Sequence, residues 1–328
     1  MDKINVKDIP EIIKNKRPTV KDNTIKQYTQ NLKKLRELYD TDGYDFLNNP
    51  SDVLDKLKSK KYTTQRNTIN AIIILLLALD QPEALINQYR DKRDAFNQQY
   101  QDAQATGIIS DKQKDNFITL DELTGMVKQI DLDIKQQKLK KAVKMSSQQH
   151  DLLTGYTIYT MLLNYPTRND MANMQLVSRS VFNKHKNDRS CNYLIAERGK
   201  LSMVLNCYKT AGNYGQKIIE LNKPTEKVLR MYMKIEGIGL NDVIFKNAKG
   251  DAMTSNSITQ LLIRLSQKYL NKSISSTMIR KIVVSNKFSA LKKEQSEMAN
   301  IMGHSVSTQN NVYVKEAGGD SFKPVQNS

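Results

Sequence analysis

The most informative part of the chain is the sequence IMGHSVSTQNNVY, residues 301–313, in which His304 precedes Tyr313 by nine positions. An arginine, Arg280, stands 24 positions before that histidine. A cation neutralises phosphate charge, an imidazole donates a hydrogen bond or a proton, and a phenol can act as a nucleophile. These are the groups needed to hold a phosphodiester and attack it.

The charge of the chain favours a polyanionic partner. Its 328 residues include 51 Lys and Arg against 34 Asp and Glu, a net charge of +17. Residues 1–118 hold 20 basic and 17 acidic side chains, and the remainder holds 31 and 17. Basic side chains that contact phosphates release counterions and so drive binding to nucleic acid. Nucleic acid is the first partner to consider, and most of the excess, +14 of +17, lies in residues 119–328, the part of the chain that contains residues 301–313.

Cysteine usage and hydropathy predict a soluble intracellular protein. Cys191 and Cys207 are too few for a disulfide framework and lack the spacing of metal ligands, so we expect free thiols in a reducing compartment. Residues 1–10 do not resemble a signal peptide. The longest apolar run, residues 71–79, is far too short to span a membrane, and no membrane partner is expected.

The first hundred residues show the periodicity of a helical bundle. Apolar and aromatic side chains recur at three or four residues and so share one face of each helix. Helices are predicted over residues 23–38, 51–57, 63–79 and 83–99. The helix over 63–79 ends in an apolar run and should be buried on all sides there. We interpret residues 1–101 as one domain and the polar stretch 102–118, which contains Gly107, as a linker.

The second domain, residues 119–317, mixes helices with a sheet. Its first helix should begin at Thr119, because Thr119 and Glu122 have the spacing of a capping box. Residues 192–196 and 201–206 flank a tight turn and read as a hairpin, to which residues 216–221 add a third strand. The fold is thus mainly α with a small antiparallel sheet. Further helices are predicted over residues 150–163, 225–235, 255–269, 277–288 and 294–301, before a flexible tail, 318–328.

Residues 301–313 resemble the C-terminal signature of tyrosine recombinases, the phage-type integrases that cut and rejoin DNA through a phosphotyrosine. In that family a Leu/Met-Gly-His triplet stands nine residues before the nucleophilic tyrosine, as His304 and Tyr313 do here. The resemblance implies an N-terminal core-binding bundle of SAM-like fold, a catalytic domain, double-stranded DNA as partner, and a homo-oligomer, a tetramer, on DNA. The Lys- and Asn-rich composition suits a virus or mobile element.

The same resemblance assigns the rest of a candidate site. The family arginine that follows the first long helix of the catalytic domain corresponds to Arg168. The family lysine, a general acid and DNA contact in a β-hairpin, corresponds to Lys209 in a Lys-Thr-x-Gly pattern, with Lys200 in the preceding turn as the alternative. Arg280 fills the arginine place of a His-x-x-Arg element. The resemblance implies no metal and no cofactor, and the following catalytic set: Arg168, Lys209, Arg280, His304 and the nucleophile Tyr313.

Two supporting positions depart from the family pattern. Asp170 could orient Arg168 by a charged hydrogen bond, but it stands two positions after the arginine, where the family usually has an acidic residue three positions after it. Thr277 takes the place of the histidine in His-x-x-Arg. A threonine can donate a hydrogen bond but cannot act as a general base near neutral pH. The departure at Thr277 bears on activity more than on ancestry.

Three functions are compatible with these patterns. The leading one is an integrase or site-specific recombinase that joins strands through a 3′-phosphotyrosyl intermediate. A type IB topoisomerase has nearly the same catalytic groups, and a catalytically silent DNA-binding protein would explain Thr277. Each residue also has an ordinary interpretation, since Tyr313 is one of 15 tyrosines. The order of the motifs along the chain is what favours the first function.

Overall fold

The computed structural model describes residues 4–105, 107, 111–142, 144–185 and 188–314. The chain divides into two compact units, Met1–Ile109 and Ser110–Ser328. The predicted flexible tail and residues 106 and 108–110 of the predicted linker lie outside the described residues. Within the described ranges, no helix has both the length and the hydropathy that crossing a bilayer requires.

The first unit is built from helices. They are α1 (Ile9–Lys16), α2 (Asp22–Arg36), α3 (Pro50–Leu57), α4 (Tyr62–Ala78) and α5 (Glu83–Ala105), with a 3₁₀ turn at Asp45–Asn48. Prolines open α1 and α3, where a missing N–H leaves no hydrogen bond unmade. The helix α5 continues through Ala105, into the stretch interpreted as linker, because no glycine or proline interrupts it before Gly107.

The centre of the first unit is α4. Ile69, Ile72, Leu75 and Leu76 are fully buried, as the apolar run predicted. The Tyr89 hydroxyl on α5 donates to the Leu47 carbonyl at 2.9 Å, so this buried phenol keeps a hydrogen bond. These contacts give the first unit a core of its own.

The second unit is also mainly helical and contains a small mixed sheet. Its elements, in chain order, are α6 (Asp111–Lys114), α7 (Leu120–Gln136), α8 (Ser147–Asn164), β1 (Gln175–Ser178), α9 (Arg179–His185), β2 (Tyr193–Glu197), β3 (Lys200–Leu205), α10 (Ala211–Tyr214), β4 (Lys217–Glu220), α11 (Lys223–Ile235), α12 (Ser255–Leu270), α13 (Ser276–Ile301) and α14 (Val306–Thr308). The predicted capping box at Thr119 is confirmed, and Ser146 forms another before α8.

The sheet corrects one expectation. The hairpin β2–β3 and the third strand β4 pair antiparallel as predicted, but β1 pairs parallel to β2, so the sheet has four strands in mixed orientation. A parallel pair needs a crossover, and α9 supplies it. The strand β1 is only four residues long and its polar and apolar residues do not alternate, so no sequence pattern indicated it.

The core of the second unit surrounds α8. Leu153, Ile158 and Leu162 are fully buried, and the Tyr159 hydroxyl donates to the Leu262 carbonyl of α12 at 2.7 Å. Glycine at position 155 lets α12 approach closely, because a Cβ there would collide with the Leu265 side chain. The helix α8 is therefore fixed on several sides, and it leads directly into the loop that carries Arg168.

The helix α13 corrects a second expectation. The sequence predicts two helices, 277–288 and 294–301, whereas the structure has a single helix of 26 residues. Neither glycine nor proline occurs within α13, and Lys293 faces Glu297 one turn later at 3.7 Å, so nothing interrupts the helix. Its first turns pack in the core, with Met278, Ile279, Ile282 and Val283 buried. From residue 284 to residue 298 it is almost entirely exposed.

Candidate active site

The loop that carries Arg168 follows α8 and is anchored on two sides. Pro166 stops the helix, and Arg168 precedes a 3₁₀ turn, Asn169–Met171. The buried Asn169 amide donates to the Ser255 carbonyl and to the Thr259 hydroxyl of α12, both at 2.8 Å. The Asp170 carbonyl accepts a hydrogen bond from Asn192 at 2.7 Å. The loop is therefore held between α12 and the start of β2.

The two candidate arginines come together at this loop, although 112 positions separate them in the sequence. Arg280 lies in the second turn of α13, and its Nε donates to the Pro166 carbonyl at 3.1 Å. Burial lowers the pKa of Arg280, the positive charge of Arg168 lowers it further, and Asp170 opposes both. Arg168 is thus close enough for its charge to act on Arg280. Two guanidinium groups within electrostatic reach of each other favour the binding of an anion.

Asp170 belongs to the same charge cluster. Burial raises the pKa of the Asp170 carboxyl, and the positive charges of Arg168, Arg280 and Lys217 oppose this rise. The carboxylate therefore lies among three cations and partly offsets their mutual repulsion. We refer to Arg168, Asp170 and Arg280 as the arginine cluster.

Lys217 is the functional candidate that sequence reasoning missed. It opens β4, and its ammonium lies 5.1 Å from the ring centroid of Tyr208 and 5.3 Å from that of Tyr214. Cations over aromatic rings at such distances are attracted to the ring face. Lys217 is the second residue of the predicted strand 216–221, but nothing in the sequence distinguishes it from other lysines near strand ends.

Lys209 lies in the connection between β3 and β4, at the end of β3 that faces the arginine cluster. The residue two positions earlier, Cys207, is joined through Asn192 to the Asp170 carbonyl. Lys200, the alternative, opens β3 and lies at its far end, roughly 15 Å away along an extended strand. The Lys209 side chain is exposed, and within the described residues its ammonium makes no hydrogen bond or ion pair.

His304 and Tyr313 form a pair after the end of α13. Their rings stack with centroids 4.9 Å apart and planes 13° from parallel. Gly303 has φ of +68°, a left-handed conformation suited to glycine, and reverses the chain at the helix end. The His304 Nδ1 lies 3.1 Å from the Ser305 carbonyl, which favours the tautomer that leaves Nε2 as an acceptor. The Tyr313 side chain is 56% exposed.

The structure does not bring this pair to the arginine cluster. Arg280 lies near the start of α13 and His304 after its end, which corresponds to about 30 Å at 1.5 Å per residue. Within the described part of the chain, neither His304 nor Tyr313 makes a hydrogen bond, ion pair or ring contact with the arginine cluster. We refer to residues 302–314 as the C-terminal segment. The candidate residues therefore form two groups on one unit.

Thr277 belongs to the first group. It is exposed in the first turn of α13, one turn before Arg280, and Ser275 caps that turn by accepting from the Met278 N–H. Its hydroxyl can donate a hydrogen bond to a ligand beside the arginines.

Among the described residues, no group of three His, Cys, Asp or Glu side chains has the arrangement of a metal site. Cys191 and Cys207 are free thiols, as expected.

Comparisons with known proteins leave the family open. No family model matches the chain, and no curated protein matches it. Among solved structures, the crystal structure of XerA recombinase is similar over 93% of this chain and 90% of that chain, at 15% identity and a TM-score of 0.33. A likeness at that identity and score identifies neither the fold nor the activity of this chain.

Proposed function

We propose that the protein is a DNA integrase or site-specific recombinase that cleaves and rejoins strands through a phosphotyrosyl intermediate. The observation that carries the proposal is the convergence of Arg168 and Arg280 on one loop from distant parts of the chain, with Arg280 bound to the Pro166 carbonyl. The stacked His304 and Tyr313 supply an imidazole and a phenol on the same unit. The excess of positive charge in residues 119–328 supports duplex DNA as the partner.

In the proposed reaction, the two arginines bind the non-bridging oxygens of the scissile phosphate. Tyr313 Oη attacks phosphorus, the O–P bond to tyrosine forms, and the bond to the 5′ oxygen breaks. The phenol gives up its proton to a base or to water, and Lys209 gives a proton to the leaving 5′ oxygen. Preorganised donors at the developing charge usually supply the largest part of such a rate enhancement. The retained phosphoester then allows rejoining without a nucleotide cofactor.

The proposal requires Tyr313 to reach the arginine cluster when DNA is bound. The second half of α13 and the C-terminal segment are exposed, so few tertiary contacts oppose their movement. Three lysines, Lys287, Lys292 and Lys293, lie on this part of the helix and can be attracted to the backbone of a duplex. In a homo-oligomer on DNA, the C-terminal segment of one copy could also reach the arginine cluster of a neighbouring copy.

A second candidate is a catalytically silent DNA-binding protein. Two observations favour it, namely Thr277 in place of a histidine and the distance between the arginine cluster and Tyr313. Such a protein would keep the basic surface and the arginine cluster for binding phosphate, and it would never form a bond to DNA.

The deciding experiment uses a duplex with a nick placed so that the fragment beyond the cleavage point diffuses away. Covalent protein–DNA adducts are trapped on this substrate and mapped by protease digestion and mass spectrometry. The proposal expects attachment through Tyr313, its loss in Tyr313→Phe, and no loss in Tyr100→Phe, an exposed tyrosine of the first unit. Tight binding without attachment would favour the silent protein. Relaxation of plasmids without a preferred site would favour a topoisomerase.

A further inference from the structure

Asn192 is a buried amide that uses its whole hydrogen-bonding capacity. It stands just before β2 and is only 1% exposed. Its Nδ2 donates to the Asp170 carbonyl at 2.7 Å and to the Cys207 carbonyl at 3.0 Å. Its Oδ1 accepts from the N–H groups of Asn206 and Cys207, both at 2.8 Å. An asparagine amide has two donors and two acceptor lone pairs, and all four are used.

These four bonds join the two parts of the candidate site that approach DNA from different elements. One bond holds the loop of Arg168 and Asp170, and three hold the end of β3, two residues before Lys209. Within the described residues, this amide is a direct link between the arginine-bearing loop and the β3–β4 connection. The position of the lysine relative to the arginines therefore depends on Asn192.

A second amide fixes the other side of the same connection. The Asn206 Nδ2 donates to the carbonyls of Cys191 and Asp188, at 3.0 and 3.3 Å. Its Oδ1 accepts from Gln216 Nε2 at 2.6 Å, and Gln216 directly precedes Lys217. Both ends of the connection that carries Lys209 are thus held by side-chain amides, which limits where the exposed ammonium can reach.

We propose that Asn192 is a positioning residue that sets Lys209 relative to the phosphate held by Arg168 and Arg280. This inference rests on the proposed function. It requires an amide at the position, because an aspartate could still accept from the two N–H groups but could not donate to the two carbonyls. Loss of those two bonds frees the end of β3 from the arginine-bearing loop. The Lys209 ammonium is then no longer aligned with the leaving 5′ oxygen, and proton transfer slows.

The test is a substrate in which sulfur replaces the bridging 5′ oxygen at the cleavage point. Tyr313 Oη forms its bond to phosphorus, the P–S bond breaks, and the sulfur leaves as a thiolate. A thiol has a pKa of about 8.5, far below the roughly 16 of water, so the leaving group needs no proton from a lysine. A defect in proton delivery disappears on this substrate, whereas a defect in folding or phosphate binding persists.

Attachment rates are measured on both substrates for the full chain, for Asn192→Asp and for two reference variants. Lys209→Met removes the acid itself. Asn169→Asp is the matched control, because Asn169 is also a buried amide but anchors the arginine-bearing loop to α12. We expect Asn192→Asp and Lys209→Met to be slowed about a hundredfold on ordinary DNA and restored to within about threefold of the wild type on the sulfur substrate. Asn169→Asp should be slowed by the same factor on both.

Equal slowing of Asn192→Asp on both substrates would show a merely structural role and overturn the inference, as would an undiminished rate on ordinary DNA. An unslowed Lys209→Met would overturn it too, because Asn192 is argued to act through that lysine. If Asn192→Asp does not fold, Asn192→Ser, which keeps one donor and one acceptor, is measured in the same way. Failure of the wild type to attach to either substrate would instead overturn the proposed function.

Discussion

The arginine cluster and the C-terminal segment lie at opposite ends of α13 and are held in opposite ways. The loop of the cluster is anchored by Asn169, by Asn192 and by the bond from Arg280 to Pro166. In the C-terminal segment, by contrast, Tyr313, Val312 and Val314 are each more than half exposed. The arginines that we propose to bind phosphate are thus held in place by the fold, whereas Tyr313, the proposed nucleophile, would have to be delivered to them.

The sequence of α13 shows where such delivery can begin. Val283 is the last buried residue of the first turns, and residues 283–286, Val-Val-Ser-Asn, are all weak helix formers. On this part of the helix, Val284, Phe288 and Leu291 share one face and are 46–55% exposed. The second half of α13 is therefore held mainly by its own backbone hydrogen bonds, and we infer that it bends or unwinds near residue 285.

Removal of either arginine of the arginine cluster should have the largest effect on the attachment rate. We expect Arg168→Ala and Arg280→Ala each to slow attachment about a hundredfold to a thousandfold, since each removes a preorganised donor from the transition state. Arg280→Lys should recover little, because an ammonium lacks the planar fork. The measurement is the single-turnover rate on the nicked duplex at saturating protein. Arg230→Ala, which removes a hydrogen bond to the Gly199 carbonyl, is the control, and an equal loss there would contradict the assignment.

Stiffening the second half of α13 tests whether this helix must bend to bring Tyr313 to the arginine cluster. Ser285, Asn286 and Ser289 are exposed, and alanine at all three positions should strengthen the helix by roughly 1.5 kcal/mol. If the helix must bend before attachment, this triple variant slows the reaction about tenfold, and glycine at the same positions does not slow it. Attachment rates and DNA affinity are measured together for both variants. Unchanged rates in both would show that α13 stays straight during the reaction.

A histidine at position 277 tests whether a proton acceptor beside the arginine cluster speeds attachment. We expect Thr277→His to raise the attachment rate several-fold, because a neutral imidazole can accept the proton that threonine cannot. Neighbouring arginines disfavour the charged imidazolium and lower its pKa below the ordinary value of about 6.5. The gain should therefore be lost as the pH falls through that lowered pKa. Thr277→Val is the control for packing, and a gain in that variant would contradict the explanation.

The smallest expected effect concerns the stability of the second unit, which carries the arginine cluster. The Glu236 carboxylate on the end of α11 lies 3.4 Å from the His150 ring of α8, and burial raises the pKa of Glu236 although His150 opposes the rise. The folded state then binds more protons than the unfolded state, so stability falls as the pH rises from the unfolded pKa through the folded one. Glu236→Gln should remove this fall and raise Tm by roughly 1–3 °C at pH 8.

Thermal unfolding between pH 4 and pH 8 checks this, with attachment rates measured alongside. A stabilised variant with an unchanged rate would separate the stability of the scaffold from delivery of Tyr313. A variant that loses stability at pH 8 would show that the interaction of Glu236 with His150 outweighs the cost of burying the carboxylate.

Much of the fold was predictable because local patterns decide it. Periodicity indicated most of the long helices, the capping box located the start of α7, and the turn at residues 197–200 fixed the hairpin. The parallel strand β1 was missed because four residues carry no clear alternation. The continuity of α13 was missed, although residues 289–293, between the two predicted helices, contain neither glycine nor proline.

The candidate site was only partly predictable, for a different reason. Motif order indicated Arg168 and Arg280, but no pattern shows that Asn192 and Lys217 lie beside them, because those contacts arise from tertiary packing. The separation of Tyr313 from the arginines likewise depends on the path of α13 and not on any motif. The assignment of catalytic residues remains a prediction.

The proposed delivery of Tyr313 to the arginine cluster is best tested by the distance between the two on DNA. Spin labels are placed at Asn213→Cys and Asn310→Cys in a protein whose Cys191 and Cys207 are replaced by serine, and distances are measured with every copy labelled, so that approach within or between copies is seen. Without DNA, we expect only long distances, on the order of the length of α13 between Arg280 and its end, about 30 Å. On the nicked duplex it predicts a new population below about 20 Å, because Tyr313 must reach the phosphate held by the arginines. Covalent attachment with only the long distance present would contradict it.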